Sequence, residues 1–372
     1  MNFDYSTPTR IVFGRGRLPE LGELTAQHGR RCLLVTGRRA MRAAGHLQRA
    51  VASLQSAGVE TFVFDDISRN PRSDEVDAGA KLANGLGIDV IAGLGGGSAI
   101  DAAKAIAAGA MHGPCGPLVG QTLVSHPKAR PIVAVPTTAG TGSEVTKGAI
   151  ILDVERKFKS GIRGEDLFPK VALVDSELTE GAPPEVAVET AFDALTHAIE
   201  SYLARMSNPI SRALSREAII LLQHGLPRVA AGTVDHSVRD RLAMAALIGG
   251  LNVATASSCL PHRLQQSMGS ITRVDLSHAR GLAIIYPAWL RRVAIAAPDA
   301  FAEIATLLGA KDGVARLAEL IDEVGMSARL SQVGYREEDI QCLVENVSGN
   351  LENDPIPDIG KPTIRAIYEE VF

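Results

Sequence analysis

Aromatic residues, paired cysteines and blocks of positive charge are all scarce in this 372-residue sequence. A single tryptophan and an aromatic content of 4% argue against a surface that stacks carbohydrate or single-stranded nucleic acid. The four cysteines form no C-x-x-C pair, so neither a disulfide framework nor a thiolate zinc site is predicted. The net charge of −4, without a cluster of Lys and Arg, argues against nucleic acid or an anionic membrane as a partner.

Targeting and membrane-spanning signals are also missing. The N-terminus lacks a basic segment followed by an apolar core, and no uninterrupted apolar run is long enough to span a bilayer. With the scattered cysteines, this pattern predicts a soluble protein of the reducing cytoplasm. The length exceeds one comfortable core, and 46% hydrophobic residues can fill two, so two domains are expected.

The first half of the sequence alternates short apolar strands with helical segments. Continuous apolar strands between helices are typical of a parallel sheet that is covered on both faces. The predicted elements are strands at 32–36, 61–64, 89–92, 131–135 and 171–174, a helix at 38–54 and a hairpin at 148–160.

Strand signals end at Pro183-Pro184, and helical periodicity follows. Long helices are predicted at 185–204, 211–230, 239–268 and 281–297. We therefore predict an α/β nucleotide-binding domain with a Rossmann-like parallel sheet over residues 1–182. An all-α domain is predicted over residues 183–372.

A glycine run ends the third predicted strand and opens a helix. It consists of Gly95, Gly96 and Gly97, followed by Ser98. Backbone N–H groups and the helix dipole at such a point can face an anion without a Cβ in the way, so a pyrophosphate fits there. The alternative is a tight turn, although three consecutive glycines cost more conformational entropy than a turn requires. The run matches neither the G-x-G-x-x-G fingerprint nor a Walker sequence.

A second loop, at residues 136–146, is rich in hydroxyl groups and glycine and follows another predicted strand. Its side-chain donors suit phosphate, ribose or carboxamide groups. The alternative interpretation is a polar surface loop. The side chains expected to contact a cofactor are Thr137, Thr138, Thr141 and Ser143.

In the helical half, His197 follows Asp193 by four positions. On a helix, this spacing places a carboxylate and an imidazole on one face, one turn apart, where both can hold one divalent ion. An isolated pair of this kind is more often a surface ion pair or a core histidine. Two later histidines, His262 and His278, favour the metal site.

Three motifs occur in order: the glycine run with Asp101 and Lys104, the loop from Pro136 to Glu144, and the segment from Asp193 to Ala198. Together they closely resemble the iron-containing (group III) alcohol dehydrogenase family over nearly the whole chain. The resemblance implies a dinucleotide-binding domain, an all-helical domain of dehydroquinate synthase-like architecture, and an active site in the cleft between them. It also implies a homodimer or larger homo-oligomer that acts on a small alcohol or aldehyde.

The family's metal site of one Asp and three His implies Fe²⁺, or Zn²⁺ in some relatives. Its ligands fall on Asp193, His197, His262 and His278. Cofactor contacts are likewise implied for Asp101 and Lys159. Many relatives carry a further histidine four residues after the third ligand, where this sequence has Gln266. The proton is therefore expected to leave through water or the cofactor ribose.

A site of this composition keeps a net positive charge and an open coordination position. The ion can polarise an aldehyde carbonyl or stabilise an alkoxide while hydride passes between that carbon and the nicotinamide. One alternative is a dehydroquinate synthase-like cyclase, a lyase that regenerates its bound NAD within each turnover. Another is a nucleotide-binding module whose metal is purely structural.

The choice of cofactor is suggested by Gly37, Arg38 and Arg39, after the first predicted strand. NAD-preferring relatives often have an Asp there. Two guanidinium groups without a carboxylate would accept a 2′-phosphate, so NADPH is expected alongside NADH. The alternative is that both arginines only begin a solvated helix.

Three arginines lie near the predicted ligands in sequence. They are Arg263, Arg273 and Arg280. Guanidinium groups at these positions could hold an anionic tail on the aldehyde, such as a phosphonate or a carboxylate. The alternative is that they point to solvent or to the cofactor pyrophosphate.

Overall fold

The computed structural model describes residues 2–372 and divides into two compact units. The α/β unit comprises residues 7–183, and the helical unit comprises residues 184–372 together with residues 2–6. The fold class predicted from the sequence, a parallel α/β sheet followed by an all-helical part, is confirmed.

A six-stranded parallel sheet forms the middle layer of the α/β unit, in the order β1-β8-β5-β4-β2-β3. Its strands are β1 (Arg10–Phe13), β2 (Arg31–Gly37), β3 (Glu60–Ile67), β4 (Val90–Gly95), β5 (Ile132–Pro136) and β8 (Val171–Val174). The predicted hairpin is confirmed as an antiparallel pair, β6 (Gly148–Asp153) and β7 (Phe158–Arg163).

Both faces of the sheet are covered because the strands are apolar on both sides. Leu33 and Val35 belong to one core cluster, while Cys32 and Leu34, one position away, belong to another on the opposite face. The helices of this unit are α1 (Leu21–Ala26), α2 (Ala40–Ala43), α3 (His46–Ser56), α4 (Ser73–Gly85), α5 (Gly97–His112) and α6 (Cys115–Leu118).

Two features of the α/β unit differ from the sequence prediction. The helix predicted at 38–54 is broken into α2 and α3 at Gly45, whose φ of 75° lies in the left-handed region. Strand β1 was not predicted, because only one of its four residues is buried and its apolar pattern is too short to be distinctive.

Nine α-helices form the described part of the helical unit. They are α7 (Pro184–Leu203), α8 (Pro209–Ala230), α9 (His236–Ala256), α10 (Leu260–Met268), α11 (His278–Ala296), α12 (Pro298–Leu307), α13 (Gly313–Glu323), α14 (Asp339–Glu345) and α15 (Lys361–Glu370). Helix α7 is buried on all sides over residues 191–203. Its polar side chains therefore need partners within the unit.

The helix predicted at 239–268 is two helices. Helix α9 ends at Ala256, before Ser257, a non-glycine residue with a φ of 62°, and α10 follows at an angle of 101°. Among the described residues, no single helix is long and apolar enough to cross a bilayer, and α9 with α10 passes that test only as this bent pair. The bend brings α10 and its histidine back toward α7.

Candidate metal centre and cofactor loops

One face of helix α7 carries three buried, ionisable side chains. Asp193, His197 and Glu200 are spaced at i, i+4 and i+7, so they line up along the helix. Their exposed fractions are 3%, 6% and 0%. Three such groups in a helix interior are costly unless each has a specific partner, which marks this face as a candidate functional site.

Histidines from two other helices meet this face. The Asp193 Oδ1 atom lies 3.6 Å from His262 Nε2, 3.4 Å from His278 Nε2 and 3.9 Å from His197 Nε2. Ligand atoms of Asp193, His262 and His278 all lie within 4.8 Å of one another. The rings of His197 and His262 are stacked, with centroids 4.5 Å apart. The structure thus brings together all four residues predicted as metal ligands.

The residues present fit a divalent ion. Asp193 Oδ1 and His262 Nε2 are buried and have no hydrogen-bond partner among residues 2–372, which is rare for polar atoms in a folded protein. Metal bonds of about 2.0–2.1 Å in a tetrahedral shell place neighbouring ligand atoms roughly 3.4 Å apart. The distances from Asp193 Oδ1 to His278 and His262, 3.4 Å and 3.6 Å, are therefore close to those of atoms that share an ion and longer than ordinary hydrogen bonds, whereas His197 lies farther away at 3.9 Å.

Glu200 fixes the orientation of His262. The Nδ1 atom of His262 lies 2.8 Å and 2.9 Å from the two carboxylate oxygens of Glu200, so Nδ1 donates and Nε2 is left to face Asp193. The same carboxylate accepts the backbone N–H of Cys259 at 2.7 Å. Sequence reasoning missed Glu200, although its position three residues after His197 places it on the ligand face of α7.

The first turn of α10 is held by a second buried carboxylate. Asp354 Oδ2 accepts the backbone N–H of Leu260 at 2.8 Å and the indole N–H of Trp289 at 2.9 Å. Burial raises the pKa of Asp354 to about 6. Helix α10, which carries His262, is thus anchored by two carboxylates from distant parts of the helical unit.

The histidines of the centre differ in their affinity for protons. Burial lowers the pKa of His197 to about 4, so this ring is neutral near pH 7. Burial also opposes the charged form of His262, but Glu200 and Asp193 outweigh it and raise its pKa to about 9. Burial would raise the pKa of Asp193, yet the neighbouring histidines hold it well below its usual range. An ion that binds here must displace the proton of His262.

The two cofactor loops predicted in the α/β unit lie against each other. A Cβ at Gly97 would lie 2.6 Å from the Thr141 side chain, and one at Gly96 would lie 3.2 Å from that of Thr138. Gly95 has a φ of 148°, and its carbonyl accepts the N–H of Thr137 at 2.9 Å. The glycines thus allow the hydroxyl-rich loop at residues 136–146 to pack closely against them. They also leave the N-terminus of α5 free of side chains.

The ammonium group of Lys104 ties these loops together. Its Nζ atom is fully buried, and five oxygens of Ser143, Thr146 and Gly148 lie within 3.1 Å of it. Burial lowers its pKa to about 8. Asp101 completes the network, because its carboxylate accepts Ser143 Oγ at 2.5 Å and the N–H of Ile150 at 2.9 Å.

Three further predicted cofactor residues lie elsewhere in the α/β unit. Ser98 Oγ donates to the carbonyl of Arg69 at 2.5 Å, and Lys159 Nζ donates to Asn70 Oδ1 at 2.9 Å. Burial lowers the pKa of Lys159 to about 8, against the opposing effect of the Asp101 charge. Gly37 ends strand β2, at the carboxyl edge of the sheet where open α/β folds bind nucleotides.

Most of the arginines considered above are engaged by carboxylates. Arg38 bonds Asp66 at 2.7 Å and Glu75 at 3.1 Å. Arg273 pairs with Asp339 through two hydrogen bonds, and Arg280 pairs with Glu189 at 2.7 Å. Arg263 is buried next to His262, and its guanidinium donates to Ser257 Oγ at 3.2 Å.

Comparison with known families gives matches over both units. Residues 8–176 match the family model described as iron-containing alcohol dehydrogenase. Residues 187–372 match the model described as the C-terminal part of the Fe-containing alcohol dehydrogenase family.

Individual relatives match over almost their full length. The chain is 31% identical to a 1,3-propanediol dehydrogenase of Klebsiella pneumoniae, over 100% of this chain and 99% of the relative. It is 30% identical to an NAD-dependent methanol dehydrogenase of Bacillus methanolicus, over 92% of each. The crystal structure of sulfoacetaldehyde reductase from Bifidobacterium kashiwanohense in complex with NAD⁺ superposes with a TM-score of 0.88 at 28% identity, over 100% of this chain and 99% of that one.

Proposed function

Because the chain belongs to the iron-containing alcohol dehydrogenase family, we propose that it interconverts a short, uncharged alcohol and its aldehyde with a nicotinamide cofactor. The family assignment makes the chain an oxidoreductase and decides against the cyclase alternative. We place the reaction at a divalent ion held by one carboxylate and three imidazoles. These ligands are Asp193, His197, His262 and His278.

The observation that carries this proposal is the buried Asp193 Oδ1 atom, surrounded by three imidazole Nε2 atoms at 3.4–3.9 Å. When bound, the ion supplies a Lewis acid for the alcohol or aldehyde oxygen, and the nicotinamide gives or takes the hydride. Asp193 contributes the one negative charge of the ligand set. Glu200 keeps the His262 Nε2 lone pair directed at the ligand cluster.

Two side chains of the helical unit differ in what they offer to the proposed reaction. His278 is the most exposed ligand, with 34% of its side chain accessible, so substrate is expected to reach the centre from its side. Gln266 is buried on α10, and its amide can orient a hydroxyl but cannot release a proton. We therefore assign proton exchange to water or the cofactor ribose.

The substrate is proposed to be uncharged because two of the three arginines considered for an anionic tail are already neutralised. Arg273 is paired with Asp339 and Arg280 with Glu189. An anionic substrate remains the second candidate. It is supported by the buried Arg263 beside His262 and by the similarity to sulfoacetaldehyde reductase.

Net oxidation of reduced nicotinamide tests the proposed function. Protein loaded with Fe²⁺ or Zn²⁺ is given NADH or NADPH with methanal, propanal, 3-hydroxypropanal or sulfoacetaldehyde, and the reduced-nicotinamide absorbance is followed. We expect turnover with uncharged aldehydes, loss of turnover after chelation, and recovery when the metal is restored. Turnover confined to sulfoacetaldehyde would favour the anionic class. If the protein binds metal and nucleotide stoichiometrically but the absorbance does not change with any aldehyde, the proposed oxidoreductase function is excluded.

Replacing Arg39 should shift the preference between cofactors. Arg38 is occupied by Asp66 and Glu75, whereas Arg39 is exposed and has no ion pair among the described residues. A charge-assisted hydrogen bond to a 2′-phosphate contributes roughly 1.5–3 kcal/mol, so Arg39→Ala should lower the NADPH-to-NADH ratio of kcat/KM about tenfold or more.

The matched variant for this measurement is Arg38→Ala, which removes the same charge one position earlier. We expect it to change the ratio less than Arg39→Ala does. A larger change in Arg38→Ala than in Arg39→Ala would mean that Arg38 leaves its carboxylates to hold the 2′-phosphate. The same NADPH-to-NADH ratio of kcat/KM in both variants and in the unsubstituted protein would exclude both arginines from cofactor selection.

A further inference from the structure

The most exposed ligand of the candidate centre is held by a side chain that no motif assigns. His278 begins helix α11, and its Nδ1 atom is hydrogen-bonded to Gln265 Oε1 on helix α10. Since an amide oxygen only accepts, this bond places the imidazole proton on Nδ1 and leaves the Nε2 lone pair directed toward Asp193. Gln265 thus does for His278 what Glu200 does for His262.

The position of the Gln265 side chain depends on a glycine one turn further along α11. Gly281 follows His278 by three positions, on the same face of the helix. A Cβ at Gly281 would lie 2.9 Å from Gln265 Cγ and 3.1 Å from Gln265 Nε2. Both distances are shorter than ordinary van der Waals contact, so any larger residue would move the amide away from His278.

Burial of Gln265 favours its hydrogen bond to His278 over a bond to water. Gln265 is 3% exposed, so its amide cannot exchange its protein partner for bulk water without moving out of the unit. The imidazole it holds is 34% exposed and lies at the start of a helix. The orientation of the exposed ligand therefore depends on a hydrogen bond more than on packing.

We propose that Gln265 is a positioning residue for the metal ligand His278 and that Gly281 is required because it leaves space for the Gln265 amide. This inference rests on the metal site of the proposed function. It adds two residues whose loss should weaken metal binding without removing any ligand.

Metal affinity is the readout that tests this inference. Co²⁺ and Zn²⁺ are titrated into metal-free protein against a competing chelator, and the visible d–d spectrum of the Co²⁺ form reports the ligand geometry. Losing a group that orients a metal ligand typically costs about 10–100-fold in metal affinity, and we expect this loss for Gln265→Leu together with a changed Co²⁺ spectrum. Gln265→Glu keeps an acceptor oxygen and should retain both affinity and spectrum.

Gly281→Ala should reproduce the effect of Gln265→Leu although it alters no polar group. Because both changes break one contact, the double variant should lose no more affinity than the weaker-binding single variant. Gly85→Ala is the control for placing alanine at a helical glycine, since no heavy atom lies within 4 Å of a Cβ at Gly85. Unfolding of the metal-free variants shows whether any loss is only structural.

The outcomes separate this inference from the proposed function. If the unsubstituted protein binds no metal, the proposed function fails. If it binds metal and Gln265→Leu binds equally well with an unchanged Co²⁺ spectrum, the role of Gln265 is excluded. Additive losses in Gln265→Leu and Gly281→Ala would exclude the role given to Gly281.

Discussion

Asp193→Asn should abolish stoichiometric metal binding and lower kcat/KM for the metal-dependent reaction by about 10³-fold or more. The substitution preserves the size of the side chain and removes its charge. Asp193 Oδ1 lies 3.4–3.9 Å from all three imidazole Nε2 atoms, and Asp193 is the only proposed ligand with a negative charge. An amide oxygen in its place would leave a divalent ion with neutral ligands only, in a buried environment.

Three measurements on the same preparation of Asp193→Asn test this prediction. Metal content per chain, kcat/KM with the best aldehyde, and the unfolding midpoint of the metal-free protein are compared with those of Glu185→Gln, which neutralises an exposed carboxylate on the same helix. We expect metal and activity to be lost with a small change in the midpoint. If metal-free Asp193→Asn instead fails to fold, the ion site is primarily structural. Retained metal with kcat/KM within tenfold of the unsubstituted protein would exclude Asp193 as a ligand.

The four candidate ligands could be proposed from the sequence because their residue types and local spacing are typical of metal-binding sites. Helical periodicity places Asp193 and His197 on one face, but this spacing alone is more often an ion pair, and the four ligand roles were assigned by resemblance to a family. The groups that orient the ligands were not predicted. Glu200 meets His262 across 62 positions in the sequence, and that contact exists only because α10 turns back at Ser257.

The arginines show a second kind of information that the sequence does not supply. Three guanidinium groups near the ligands suggested a clamp for an anion, but the sequence does not reveal which carboxylates lie opposite them. Arg273 meets Asp339 from a distant helix, and Arg280 meets Glu189. Charges in a folded protein are paired through tertiary contacts, so charge near a site in sequence is weak evidence for charge available at that site.

Lys104→Met should lower the free energy of unfolding of the α/β unit by about 3–5 kcal/mol, the usual cost of removing one member of a buried charged network. The substitution leaves the carbonyls of Ser143, Thr146 and Gly148 without their shared donor. It also leaves the buried Asp101 carboxylate with less compensating charge. Because the carbonyls of Ser143 and Thr146 belong to the hydroxyl-rich loop at residues 136–146, we also expect weaker binding of NAD(H).

The measurement must report on the right unit. The single tryptophan, Trp289, lies in the helical unit, so its fluorescence does not report on unfolding of the α/β unit. Hydrogen exchange of the Ile150 amide is followed in urea instead, because this amide donates to Asp101. Lys81→Met, at an exposed position of α4, is the control. Adding Asp101→Asn to Lys104→Met should recover about 1 kcal/mol or more, since the unpaired carboxylate is removed with its partner. A loss no larger than that of Lys81→Met would show that the five contacts of Lys104 contribute nothing to the stability of the cofactor loops.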